Sequence, residues 1–136
     1  DVVITTEAPL GEVAQIVDTN IALAQRIILL KSNKEIIQNE YIKYWFISDA
    51  GQAELYTQAT GSTALGIKAS KFKAVNILVP EISEQQAIAS FLDQETARID
   101  EAIDNVRSQI EKLEEYRTVL ISDAVTGKID VRGFVS

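Results

Sequence analysis

Apolar positions in the last third of the chain recur at alternating steps of four and three: Ile99, Ile103, Val106, Ile110 and Leu113, then Leu120 and Ala124. A seam repeating roughly every 3.5 residues is what a long helix needs to bury one narrow stripe against another helix. The pattern predicts one helix from Ser83 to Val125, a stretch free of Pro and Gly. At about 1.5 Å per residue it would reach roughly 60 Å, farther than the remaining chain could cover. Part of the seam must therefore face a partner. Pro80 closes the preceding segment, and Ser83 with Gln86 reads as an S-x-x-Q capping box. Thr126-Gly127 supplies the stop, with Gly127 suited to the left-handed closing conformation. Ile88, Phe91 and Leu92 form a wider stripe near the start, expected to pack on a globular domain. Helix propensity is weakest over Asp93–Thr96, so a break there stays open.

Upstream the periodicity is shorter. Asp1–Thr5 is β-branched, Thr6–Gly11 carries turn residues, Glu12–Val17 alternates, and Gln25–Leu30 is a short apolar run expected as a buried strand. From Lys34 to about Leu55 the spacing turns helical, with aromatic residues on more than one side and a second short helix around Gly51–Tyr56. Thr57–Gly66 is polar and glycine-containing, and Asn76–Val79 reads as a final strand ending at Pro80.

Composition narrows the chemistry. Apolar residues make up 46% of 136 positions, enough for a core, and no apolar run approaches a membrane span. With no Cys, disulfides are excluded, which suits a cytoplasmic protein. The chain starts at Asp1 and holds no Met, so it is expected to be a piece of something longer. The absence of both His and Cys removes the usual zinc sites and the Ser-His and Cys-His nucleophile pairs. No phosphate-binding GxxxxGK[ST] loop or GxGxxG is present. No catalytic and no metal-binding residues are assigned. Net charge is −7, with residues 1–80 holding seven Lys/Arg against eight Asp/Glu and residues 81–136 holding six against twelve. The acidic helix should stay off phosphates, while a local basic patch in the first part remains open.

Three groups invite a functional reading. The Thr57–Gly66 loop could present backbone N–H groups and hydroxyls to a phosphate or base edge, or merely connect helix to strand. Lys68, Lys71 and Lys73 are the only basic cluster, or a solvated face. Tyr41, Tyr44, Trp45, Phe46 and Tyr56 could stack on bases, but at helical spacing amid isoleucines the core reading is preferred. Asp100, Asp104, Glu111, Glu114 and Glu115 read as the solvated face of a coiled coil rather than cation ligands.

At the join of strands and helix the sequence resembles a known family. GST-x-x-GI (Gly61–Ile67), NILVPEISEQQAIASFLD (Asn76–Asp93), TARID (Thr96–Asp100) and LISDAVTGKIDVR (Leu120–Arg132) resemble the specificity subunit of type I restriction–modification systems. The opening DVVITTEAPLGEVAQIVD and QRIILL look like the second half of that family's target-recognition domain. The resemblance implies a non-catalytic subunit with two recognition domains, each reading half of a bipartite DNA site. Two antiparallel helices would set the distance between half-sites. It further implies docking to methyltransferase (M) and restriction (R) subunits, to which S-adenosylmethionine, ATP and Mg belong; no cofactor is assigned to this chain. DNA proximity would fall on Gly61, Ser62 and Thr63 and on the nearby Lys68, Lys71 and Lys73. The first part of the recognition domain, the other domain and the other helix are missing here, so the target sequence is not legible.

The expected fold is therefore α+β. A partial mixed α/β target-recognition domain spans residues 1–81, a long coiled-coil-forming helix 82–126, and a tail 127–136. Expected partners are double-stranded DNA, M and R subunits, and a second copy of the chain through Ile99, Ile103, Val106, Ile110, Leu113, Arg117 and Leu120; no membrane is expected. Arg117 breaks the apolar pattern. Its role is either to pair with a carboxylate across an antiparallel interface or to snorkel out where the seam frays. The expected function is sequence-specific DNA recognition with the helix as spacer. The alternative is a coiled-coil assembly module without DNA contact of its own.

Overall fold

In the computed structural model the described residues are 1–18, 20, 22–61 and 65–134. Three strands, β1 (Val2–Thr6), β2 (Leu10–Gln15) and β3 (Ile27–Leu30), form an antiparallel sheet in the order β2-β1-β3. Ile4 lies opposite Val13 on one side and Ile28 on the other. Alternation along β1 sends Val2 and Ile4 into the core, both essentially inaccessible, while Val3 and Thr5 stay partly exposed. The expected strand over Gln25–Leu30 is thus present but shorter. It lies at the sheet edge, so its residues are half-buried rather than buried.

Helices α1 (Asn39–Ile47) and α2 (Asp49–Gln58) follow. The helical stretch expected from Lys34 starts later, because Asn33 holds a turn. Its carbonyl accepts from Ile36 and Ile37 N–H, and its side chain accepts from Glu35 N–H. The two helices break at Ser48, which closes α1 and opens α2, its hydroxyl oxygen accepting from Gly51 N–H at 3.2 Å. A Cβ on Gly51 would collide with the Trp45 carbonyl oxygen, so only glycine allows this sharp join. Phe46, Ile42 and Leu55 from these helices meet Val2, Ile4 and Leu10 of the sheet and Ile67 in one core. A short helix, α3 (Ala69–Phe72), which the pattern did not indicate, adds Phe72 against the Phe46 ring at 5.7 Å.

The final strand expected over Asn76–Val79 does not form. The segment runs along α1 and α2, which offer side chains rather than a backbone ladder. Glu54 accepts from Asn76, and the Leu78 carbonyl accepts from the Tyr41 hydroxyl at 2.8 Å.

Helix α4 runs without interruption from Ile82 to Val125, 44 residues, and no break occurs over Asp93–Thr96. Its first intrahelical bond, Gln85 N–H to the Glu81 carbonyl, puts Glu81 at the cap. Ser83 therefore lies in the first turn, and the expected capping box with Gln86 is not made. Gly127 closes the helix at φ +77°, with Lys128 N–H bonded to the Asp123 carbonyl. The chain divides into two compact units, Asp1–Asp93 and Gln94–Ser136, so the first three turns of α4 belong to the α+β unit. Among the described residues no helix is long and apolar enough to cross a membrane.

Candidate functional site

The polar loop after α2 leaves the core through a two-bond pinch. Thr60 N–H donates to the Gly66 carbonyl at 2.8 Å and Gly66 N–H returns to the Thr60 carbonyl at 3.0 Å. The next residue, Ile67, is buried and donates to the Thr6 carbonyl, fixing the loop base to the end of β1. Gly61 follows Thr60 at φ +128°, a conformation that favours glycine. Ser62 and Thr63, the other two residues of the predicted turn, lie outside the described residues. Lys68 precedes α3, Lys71 lies on it and Lys73 follows it; all three are exposed, and none is in an ion pair among the described residues. The structure thus brings Gly61 and Lys68 to the two ends of one pinched loop. Thr6, Glu7, Thr60, Gly66, Ile67 and Lys68 line a shallow cleft at its base.

One cation at this end of the sheet escaped the sequence reading. Arg26, at φ +72°, donates from Nε to Glu7 at 2.8 Å, and Glu7 is bridged to Gly66. Nothing in the run QRIILL distinguishes Arg26 from an ordinary residue before a strand.

The aromatic residues are used internally. Of the five that invited a stacking reading, Tyr41 and Phe46 are buried, Tyr44 and Trp45 are half-buried and Tyr56 alone is exposed, so these five form no stacking platform. Burial, and then the charge of Glu84, push the Tyr41 hydroxyl's pKa up, keeping it the protonated donor to Leu78.

The second feature is the docking of α4 on α1. Gln85 is wholly buried, and every polar atom of its side chain is spent. Its Oε1 accepts from Gln38 N–H at 2.9 Å, and its Nε2 donates to the carbonyls of Ile36 at 3.0 Å and Pro80 at 2.7 Å. Ala89 is buried and Ile88 and Leu92 half-buried below it. Phe91, expected in the same packed stripe, is 63% exposed: it lies three residues past Ile88 but on the outward side of the Gln85–Ala89–Leu92 line.

Asp93 ends the contact, accepting from the Tyr44 hydroxyl at 2.5 Å and the Lys43 ammonium at 3.1 Å. The Tyr44 hydroxyl first, and then Lys43, hold the Asp93 carboxyl below its ordinary pKa of 3.8. Partial burial lowers the Lys43 value, and its bonds to Asp93 and Tyr44 more than offset this. A carboxyl depressed on folding adds stability above its unfolded pKa and loses it as pH falls through the folded one. The gap between wild type and Asp93→Asn in urea unfolding should be at most about 1 kcal/mol at neutral pH, since the pair is half-exposed. It should close as pH drops below 3.8. A gap that persists at the acid end would show that the charge is not what holds the two elements together.

Beyond Asp93 the seam lies open. Ile99, Val106 and Leu113 are 56%, 54% and 65% exposed, and Ile103, Ile110 and Leu120 lie between 42% and 50%. Arg117 is exposed in the same row. Among the described residues no three acidic side chains converge as a metal site requires.

Comparison with known proteins places these features in a family. Residues 1–114 match the family model for the type I restriction modification DNA specificity domain. A putative type I restriction enzyme MjaX specificity subunit from Methanocaldococcus jannaschii is 27% identical over 97% of this chain and 29% of its own length. The StySPI specificity subunit of Salmonella potsdam and the EcoKI specificity subunit of Escherichia coli K12 are each 25% identical over 71% of this chain and 21% of their own lengths. The chain thus spans less than a third of each of these relatives. No solved structure matches it significantly. The match takes in the pinched loop, the Gln85 junction and most of the open seam, and the chain belongs to the type I restriction modification DNA specificity domain family.

Proposed function

We propose that this chain supplies part of the DNA-specificity function of a type I restriction–modification complex, without catalysing a reaction itself. The observation that carries the reading is the family match over residues 1–114, which joins the α+β unit to the exposed helical seam. In this reading the α+β unit lies against double-stranded DNA, and α4 acts as spacer and assembly element. Methyltransferase and restriction subunits dock on the assembly and bring S-adenosylmethionine, ATP and Mg with them. The seam of α4 takes a second copy of this chain as its partner.

The pinched loop and Lys68, Lys71 and Lys73 are the surface assigned to the DNA backbone, positioning the unit rather than reading bases. Replacing the three lysines with Glu in the assembled complex should weaken binding to all duplex sequences about equally. The slope of log affinity against log salt should flatten by roughly 0.9 for each phosphate that is no longer neutralised. Unchanged affinity and slope would favour the second reading, an assembly module that leaves DNA contact to other parts of the complex. The net charge of −7, concentrated on α4, is what keeps that reading in play.

A further inference from the structure

The charges beside the seam go further and select a register. Seam residues Ile99, Val106, Leu113 and Leu120 are each followed by a residue on one edge of the stripe: Asp100, Arg107, Glu114 and Ile121. All four flanking residues are exposed. The opposite edge carries Ala102, Gln109 and Tyr116, and its one charge, Asp123, is already paired with Lys128 at 2.9 Å. Along this stretch, Asp123 apart, the charges that can sense a helix packed on the seam therefore lie on one edge. Arg107 does hold Asp104 at 3.2 Å within its own helix, but both side chains are more than 70% exposed. Such a pair is cheap to exchange.

When two copies pack antiparallel, the same edge of each faces the other, so the flanking charges meet their own kind or their complement. We infer that two copies of this chain pair antiparallel through α4 in the register that sets Arg107 of each against Glu114 of the other. Ile110 then packs against Leu113, Ile103 against Leu120, and Ile99 against Ala124, while Arg117 lies over Val106 with its guanidinium free to reach solvent. The neighbouring registers are penalised. A slip of one heptad one way sets Arg107 on Arg107 and Asp100 on Glu114. A slip the other way sets Glu114 on Glu114 and Arg107 on Ile121. A slip of two heptads can match Asp100 with Arg107, but it brings Glu114 onto Asp93, a carboxylate already committed to Tyr44 and Lys43. By the rise of an α-helix, the chosen register holds the two Asp93 residues about 55 Å apart along the helix axis. The separation of two α+β units would thus be written in one charge pair.

This inference rests on the second-copy partner proposed above, and the test separates the two. Sedimentation of the full chain should show Arg107→Glu and Glu114→Arg each dimerising roughly tenfold more weakly than wild type. The double variant, with the charges exchanged, should recover wild-type affinity. The chain has no cysteine, so a nitroxide on Glu101→Cys reports one distance between copies. The chosen register gives an axial separation of about 30 Å for that site, and a one-heptad slip changes it by about 10 Å. A wild-type dimer in which charge exchange fails to rescue, or whose label distance fits a slipped register, overturns the register and leaves the partner standing. A wild-type chain that stays monomeric overturns both.

Discussion

Gln85→Ala should cost the α+β unit about 3 kcal/mol or more, the largest loss expected from any single polar side chain in it. The side chain is fully buried and makes three hydrogen bonds, all to backbone groups that have left regular structure: Gln38 N–H before α1, and the carbonyls of Ile36 and Pro80. Truncation strands one donor and strips two acceptors around a side chain that is itself inaccessible, and each group left unsatisfied and shielded from water costs roughly 1–3 kcal/mol. It also leaves a cavity at the first turn of α4, where the helix meets the unit. Urea unfolding followed by Trp45, the single tryptophan, reads the change directly. Gln86→Ala is the control: that neighbour is exposed, and its loss should stay within about 0.5 kcal/mol. Equal midpoints for the two variants would show that Gln85 does not anchor the helix.

The pair Gln85 and Gln86 also shows where sequence reading stops. A four-and-three repeat of apolar side chains announces α4, because little besides helix-on-helix packing produces a 3.5-residue seam, and Gly127 announces its stop. β1 was legible from its β-branched run and β2 from the alternation after Glu12, since a period of two fits a strand with one face buried. But β2 starts at Leu10, inside the stretch expected as a turn, and ends at Gln15 rather than Val17. What periodicity does not carry is how a polar side chain spends its bonds. Gln86 fitted a capping pattern and points to solvent, while its neighbour holds three backbone groups that lie apart in sequence. Ser48 and Asn33 are similar cases, since each redirects the backbone through one local side-chain bond that an apolar pattern cannot register. Asn76–Val79 reads as a strand by composition, yet strands need a ladder partner, and the surface beside it is helical. At the candidate DNA surface Gly61 and the lysines were legible as types, whereas Arg26 and its Glu7 partner were not. Their meeting depends on the β1–β3 pairing, which brings residues far apart in sequence together.

Ile103→Asp combined with Ile110→Asp should leave the chain monomeric, and this is the largest effect expected on assembly. In the single chain the two isoleucines are 42% and 50% exposed, on a row that also offers Ile99, Val106, Leu113 and Leu120 to solvent. Burying a large aliphatic side chain contributes roughly 1.5–3 kcal/mol, and a two-fold pair buries each seam residue twice. The double variant removes that gain at four positions. It also asks four carboxylates to leave water within the seam, where acidic side chains outnumber the nearby Arg107 and Arg117, a cost of several kcal/mol for each ion left uncompensated. Dissociation should therefore exceed a hundredfold, well outside what a rim substitution produces. Residues Asp1–Asp93 form their own compact unit, so the Trp45 unfolding signal should be unchanged while sedimentation falls from dimer to monomer. Helical circular dichroism should also drop, because the exposed stretch past Asp93 loses the packing that stabilises a long helix in water. Wild-type chain that sediments as a monomer at tens of micromolar would show that a second copy is not what the seam binds. Loss of the Trp45 transition in the variant would show that the seam supports the α+β unit itself.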